Sequence, residues 1–282
     1  MTIDAAERDR RAEQFAALHE EGTFVIPNPW DAGTARLFAK MGFAALATTS
    51  AGLAFGLGRA DGASLVTRDE TLANVRAIAA ATTLPVTADL EDGFGPTPDD
   101  VAETIRRAAD AGAVGGSIED ATGNPAEPIL PLDEAVRRVR AAVTAARELP
   151  FRFTLTARAE NFLYGRPDLD DTLARLRAYQ EAGADVLYAP GLPGVDAVAT
   201  VCGAVSRPVN VLAGSSPGVT VGQLAEAGAR RISLGSSLAR VALSATRDAA
   251  RELREHGTFG FAAGLATYAE VNTLLAGDGA TS

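Results

Sequence analysis

What most constrains this chain is an alternation that recurs eight times: a short apolar run, then a longer segment whose apolar residues fall at helical spacing. The runs Phe24 to Pro27, Ala44 to Thr48, Val86 to Leu90, Gly115 to Glu119, Phe151 to Ala157, Val186 to Ala189, Val209 to Ala213 and Arg231 to Leu234 read as strands. The segments Asp31 to Met41, Arg68 to Ala81, Pro98 to Ala111, Leu132 to Glu148, Leu169 to Ala182, Gly194 to Val205, Val221 to Ala227 and Ser236 to Glu255 read as helices. Gly42, Gly112, Gly183 and Gly228 stand where helices must stop, and glycine takes the left-handed conformation of such a stop at little steric cost. Eight strand-helix units in 282 residues predict a (β/α)8, or TIM, barrel built as one α/β domain over 1–282, with a doubly wound open sheet as the alternative. A charged helix over 5–21 precedes the first strand, and a helical extension over 236–275 follows the last. The final helix of that extension, Phe261 to Leu275, has an apolar face (Phe261, Leu265, Tyr268, Leu274) with no obvious place on a closed barrel.

Side-chain counts then remove whole chemistries. Cys202 is the only cysteine, which excludes an intramolecular disulfide and any zinc site needing two or more thiolates. His19 and His256 are the only histidines, and neither stands where a Ser-His pair would need it. Lys40 is the only lysine and precedes the second strand, at the end of a barrel opposite the active face, so a Schiff-base mechanism is disfavoured. What remains is carboxylate, guanidinium, hydroxyl, amide and backbone, a set suited to a hard cation such as Mg2+, with Mn2+ as substitute. The 26 basic and 36 acidic residues leave a net charge of -10, which repels nucleic acid and anionic membrane. No apolar stretch approaches the roughly 18 residues of a membrane span and Met1 to Arg11 is charged, so a cytoplasmic location is expected.

In a barrel, chemistry belongs where strands end, and polar residues cluster there: Asn28 to Asp31, Thr48 to Ser50, Asp89 to Gly95, Glu119-Asp120 and Thr156 to Asn161. Asp89 and Glu91 alternate along one strand end and therefore face one side, where Glu119 of the next strand can join them. Three crowded carboxylates repel, and a divalent cation completed by waters would relieve them. Asp120, Asp92 and Asp99 are read instead as helix-capping or first-turn acids. Arg158 ends an apolar strand, where it either pairs with Glu160 or forks onto a substrate carboxylate or phosphonate. Thr49, Ser50 and Ala51 offer small side chains and backbone amides to a carboxylate.

Taken in order over residues 22 to 245, these segments resemble the isocitrate lyase and phosphoenolpyruvate mutase superfamily. The carriers are Asn28-Pro29-Trp30-Asp31-Ala32-Gly33, Gly42-Phe43 with Thr49-Ser50, Asp61, Asp89-Leu90-Glu91-Asp92-Gly93-Phe94-Gly95, Ile118-Glu119-Asp120, Thr156-Ala157-Arg158 and Asn210-Val211-Leu212. The resemblance implies a (β/α)8 barrel that binds Mg2+ and a small 2-oxo acid or its enolate, and makes or breaks a carbon-carbon or carbon-phosphorus bond. It implies Asp89 as principal metal ligand, with Asp61, Glu91 and Glu119 holding metal-bound waters. Arg158 with Thr49, Ser50 and Ala51 would hold the substrate carboxylate, and Asn210 matches a substrate-side asparagine. Trp30 lies among the residues that shape the pocket. Exchange of the last helices between subunits, in a dimer or tetramer, is also implied.

Two departures separate the chain from the lyase branch. The loop that carries an acid cysteine in those enzymes is here Ala121 to Pro128, without Cys, Lys or His, and Tyr188-Ala189-Pro190-Gly191 replaces a glutamate after strand six. Methylisocitrate-type cleavage by the usual route is therefore disfavoured, whereas decarboxylation of a substrate such as oxaloacetate, or a phosphonopyruvate-type reaction, needs no cysteine. The loop from Asp120 to Pro131 is expected to act as a lid, with Asn124 as its catalytic candidate. The alternatives are a phosphate-binding barrel using Gly214 to Ser216 and Gly235 to Ser237, and a non-catalytic binding member of the family.

Overall fold

The computed structural model describes residues 4–62, 65–214 and 218–276. Eight parallel strands, β1 (Phe24–Ile26), β2 (Leu46–Ala47), β3 (Val86–Asp89), β4 (Gly115–Glu119), β5 (Thr154–Arg158), β6 (Val186–Tyr188), β7 (Val209–Leu212) and β8 (Arg231–Ser233), pair in the order β1-β8-β7-β6-β5-β4-β3-β2. The seam between β1 and β2 is held by the Ala47 N–H donating to the Pro27 carbonyl at 3.1 Å and by the Asn28 side chain. Asn28 donates to the Thr48 carbonyl and accepts from the Leu234 and Gly235 N–H groups, so one amide ties β1, β2 and β8 together. The barrel is thus nearly closed, as the eightfold alternation predicts, and the open-sheet alternative is excluded.

Around it run α2 (Ala32–Lys40), α4 (Arg68–Ala80), α5 (Pro98–Asp110), α6 (Leu132–Arg147), α7 (Leu169–Glu181), α8 (Val195–Ala204), α9 (Val221–Glu226) and α10 (Ser237–His256). Local sequence starts them: Asp31, Thr67, Thr97 and Thr220 close reciprocal capping boxes at α2, α4, α5 and α9. A further short helix, α3 (Ser50–Gly56), occupies what reads in sequence as a strand-to-loop turn. The first helix, α1 (Ala5–Ala17), is shorter than the expected 5–21 and plugs the closed end of the barrel. Phe15 is fully buried there, and a side chain at Gly115 would come within 2.9 Å of its ring.

The C-terminal extension is broken where one helix over Phe261 to Leu275 is expected. A 3-10 turn (Gly260–Ala262) and α11 (Tyr268–Leu275) follow α10. Arg36 and Lys40 of α2 donate to the Leu275 and Thr273 carbonyls, which seats α11 on α2 of its own chain. Only Ala239 is buried along the 20 residues of α10, and Tyr268 is 88% exposed. No described helix is long and apolar enough to cross a membrane.

Candidate active site

The site is built around Arg158 at the C-terminal end of β5. Its guanidinium lies 3.0 Å from Asp89 Oδ1 at the end of β3, 3.0 Å from Glu119 Oε2 at the end of β4 and 2.8 Å from Glu160 Oε1 just past β5. Of the two pairings raised by the sequence, the ion pair with Glu160 exists, and the same guanidinium also faces the two carboxylates expected to serve a metal. The Tyr188 ring of β6 lies beneath it, 5.1 Å from the guanidinium carbon. Parallel register brings these residues together, since Glu119 is opposite Arg158 and Arg158 opposite Tyr188.

Asp89 is fixed from its neighbour strand. Its N–H donates to the Thr48 hydroxyl at 2.8 Å, and its Oδ2 accepts from the Ser50 N–H at 3.1 Å, in the first turn of α3. Thr49 caps that helix by accepting from the Gly52 N–H, which leaves its O–H free to donate, while Ser50 and Ala51 form the helix start beside Asp89. Trp30 packs against the same turn: a side chain at Gly52 would meet its Cβ at 2.9 Å.

Glu91 reaches the site by another route than strand alternation, because β3 ends at Asp89. The Gly93 N–H closes a turn onto the Leu90 carbonyl at 2.9 Å, and Glu91, at its first corner, takes a left-handed φ of 48°. Burial first, and then the charges of Asp89, Asp61 and Asp92, push the Glu91 carboxyl up to about 8. Burial likewise raises Glu119 and Glu160, opposed in each by Arg158. Asp61, on the loop after α3, is raised by burial and by Asp89, which places it in the same electrostatic neighbourhood. Three carboxylates share one guanidinium, and Asp61 and Glu91 lie in their electrostatic neighbourhood.

Other expectations fare differently. Asp120 is no helix cap: it is 2% exposed and accepts from the Glu160 N–H, Arg175 and the Tyr179 hydroxyl, a buried network that braces the segment carrying Glu160. Asp99 does lie in the first turn of α5, and Asp92 accepts from the Phe94 N–H within its own loop. The lid candidate carries structure of its own, an antiparallel bridge between Ala121 and Ile129. Asn124 is exposed there and accepts from the Ala126 N–H, so its contacts stay within the loop and the structure does not gather it with the carboxylates. Asn210 is 2% exposed, accepting from Arg231 and donating to Ser233, and stands opposite Tyr188 in the sheet. Ser215 and Ser216 of the phosphate-site alternative lie outside the described residues. Cys202 packs against Gly228, and burial raises its thiol to about 11, so it stays protonated and remote.

In sequence Glu160 stands out only as a partner for Arg158, and Asp120 reads as a helix cap. Their role rests on pairing between β4, β5 and α7 that no local signal carries.

A nearly closed barrel of eight parallel strands, with acids and one arginine at the strand ends, defines a (β/α)8 enzyme-type site. Residues 15–254 match the family model described as phosphoenolpyruvate phosphomutase, and the chain belongs to that family, within the isocitrate lyase and phosphoenolpyruvate mutase superfamily of lyases and mutases acting on 2-oxo acids. A solved structure from Burkholderia cenocepacia J2315, named only provisionally as a lyase/mutase, is 55% identical, with a TM-score of 0.94 over 97% of this chain and 98% of that one. The 2-methylisocitrate lyase of Escherichia coli (strain K12) is 30% identical over 86% of this chain and 84% of the lyase. Oxaloacetate acetylhydrolase, solved with its product oxalate, is 28% identical with a TM-score of 0.83, over 94% of this chain and 93% of that one.

Proposed function

We propose that this protein is a Mg2+-dependent enzyme, with Mn2+ as substitute, that cleaves or rearranges a carbon-carbon or carbon-phosphorus bond of a small 2-oxo acid through its enolate. The observation that carries the reading is the crowding of acids at the open end, where Asp89, Glu119 and Glu160 all pair with Arg158 and Asp61 and Glu91 add further carboxyls in the same neighbourhood.

The residues fit such a cation. Among the described residues no three Asp, Glu, His or Cys side chains close into a cage. The donors present at the strand ends are carboxylate oxygens, the hard ligands of which Mg2+ takes one or two while keeping several waters, whereas zinc prefers nitrogen and sulfur. Asp89 would be the direct ligand, with Asp61, Glu91 and Glu119 holding its waters. When bound, the cation supplies Lewis-acid stabilisation of negative charge at the substrate's 2-oxo oxygen.

The protein's own groups do the rest. Arg158 forks onto the substrate carboxylate, exchanging part of its hold on Asp89 and Glu119 for it. Thr49, Ser50 and Ala51 bound the same carboxylate at the start of α3, and Trp30 walls that side. Asn210, anchored by Arg231, presents its amide from below. Asn124 reaches the site only if the loop from Asp120 to Pro131 closes over it, the motion by which a lid excludes water. The missing acid cysteine favours oxaloacetate decarboxylation or a phosphonopyruvate-type reaction over methylisocitrate cleavage. The exposed apolar residues of α10 and α11 support a dimer or tetramer, and a monomeric mass by light scattering would remove that part.

The test is a screen of oxaloacetate, phosphonopyruvate, methylisocitrate and dimethylmalate with Mg2+ and with a chelator. Magnesium-dependent product from one of the first two is expected. Binding without product from any would make the protein a non-catalytic binder, and turnover confined to phosphate esters would favour the phosphate-site alternative.

A further inference from the structure

The turn that delivers Glu91 is held from outside the site. Between Glu91 and Gly95 every backbone carbonyl has a partner from another element. The Glu91 carbonyl accepts from the Glu119 N–H at 3.0 Å, and the Gly93 carbonyl from the Thr104 hydroxyl of α5 at 2.6 Å. The Asp92 and Gly95 carbonyls both accept from Arg138 Nη2 of α6, at 2.6 and 2.8 Å. The Phe94 carbonyl accepts from Arg68 Nη2 at the start of α4.

This degree of bracing answers a local cost. Glu91 and Phe94 are the only described non-glycine residues with positive φ, 48° and 56°, a backbone conformation that is costly for residues carrying a Cβ. Gly93 between them is irreplaceable, since its φ is 92° and a Cβ would lie 2.8 Å from Val101 Cγ2. Arg138 is 4% exposed, and Nε of both Arg138 and Arg68 is buried without a partner. A guanidinium buried with an orphaned N–H is itself costly, so neither arginine is explained by its own comfort. Arg68 also lies 3.7 Å from Asp100, but the hydrogen bonds of Arg138 go to the loop alone.

We infer that Arg138, seconded by Arg68, is a positioning residue for Glu91: it pins the carbonyls on either side of the left-handed corners and so fixes where the Glu91 carboxylate stands relative to Asp89. The inference deepens the proposed cation site and rests on it. Arg138 touches neither substrate nor cation; it acts only through the backbone of this turn. Groups that orient metal-holding side chains in this way are typically worth 10- to 100-fold in affinity.

The test uses Mn2+ alone, titrated into the full-length protein and read by electron paramagnetic resonance. Wild type is compared with Glu91→Gln, Arg138→Met and the double variant, each checked by circular dichroism for an intact fold. The expected result is Mn2+ affinity about tenfold weaker in Arg138→Met, with the double variant no weaker than Glu91→Gln. A merely structural arginine would leave the affinity unchanged or add its loss to that of Glu91→Gln, and either outcome overturns the inference. If Arg138→Met does not fold, Arg68→Met, which removes one clamp at a half-buried position, must show a smaller loss with the same failure to add. Absence of Mn2+ binding in the wild type would instead overturn the cation site itself.

Discussion

At the open end of the barrel three carboxylates share Arg158 with two more acids nearby, whereas at the closed end Arg231 is buried without any ion pair among the described residues. The closed end solves its problem internally. Arg231 donates to Asn210 Oδ1 at 2.9 Å and Thr156 Oγ1 at 3.0 Å, and lies 3.4 Å from His19 Nε2. His19 Nδ1 donates to the Phe15 carbonyl, leaving Nε2 free to accept, and its ring stands edge-on to Phe15 and Phe24. The buried guanidinium there meets only neutral partners. The open end keeps an excess of one sign that its own residues do not neutralise. An unbalanced charge in a cleft calls for a ligand, while a buried charge met by fixed dipoles calls only for packing.

The largest expected effect attacks the open end. Asp89→Ala abolishes turnover and metal dependence while leaving the unfolding transition near that of wild type, because it relieves crowding and opens no apolar cavity. Most activity surviving, or the protein unfolding, would erase the distinction between the two ends. Arg158→Lys sharpens it: a lysine cannot make the bidentate contact, so KM rises about tenfold or more, the loss of one charge-assisted hydrogen bond, while Mn2+ still binds. Steady-state kinetics beside a Mn2+ titration separate the two.

Arg231→Met probes the closed end. It strands Asn210 Oδ1 and Thr156 Oγ1, and it should lower Tm by on the order of 5 °C without changing Mn2+ affinity. A shift in Mn2+ affinity as large as that of Asp89→Ala would show that the ends do not act separately.

The smallest effect is one of pH, measured by denaturant unfolding in chelator. Burial, with Arg231 beside it, holds His19 down to about 3, so its contribution to stability is present above the ordinary histidine value and is lost as pH falls toward 3. Glu91 is raised to about 8, so its contribution is present below the ordinary carboxylate value and is lost as pH climbs toward 8. Opposite limbs of one curve thus report opposite ends of the barrel, with His19→Gln flattening the acid limb and Glu91→Gln the other.

Much of this molecule is written locally. The eight strands fall within a few residues of the apolar runs, and the helices begin at Asp31, Thr67 and Thr97 because a side chain that accepts its own N3 N–H needs nothing distant. Asp89, Glu119 and Arg158 are legible for the same reason, being polar residues that end apolar strands. Arg138 leaves a fainter mark. It shares a helical stripe with Ala135, Val139 and Ala142, all buried, and an arginine on an apolar stripe signals a partner without naming one.

What the sequence by itself determined is the alternation that closes a barrel and the strand ends at which its acids gather, since both follow from periods of two and 3.6 residues and from caps that act within one turn. The tertiary structure alone decided that Glu91 leaves the strand through a left-handed corner, that Asp120 is buried against Arg175 and Tyr179, and that Arg138 grips a loop some 40 residues away, a separation of 43 to 46. Each of these conformations is unfavourable or uncompensated in isolation. Only partners brought from other helices by the closure of the barrel make them the lower free energy, so no local reading of the chain could have assigned them.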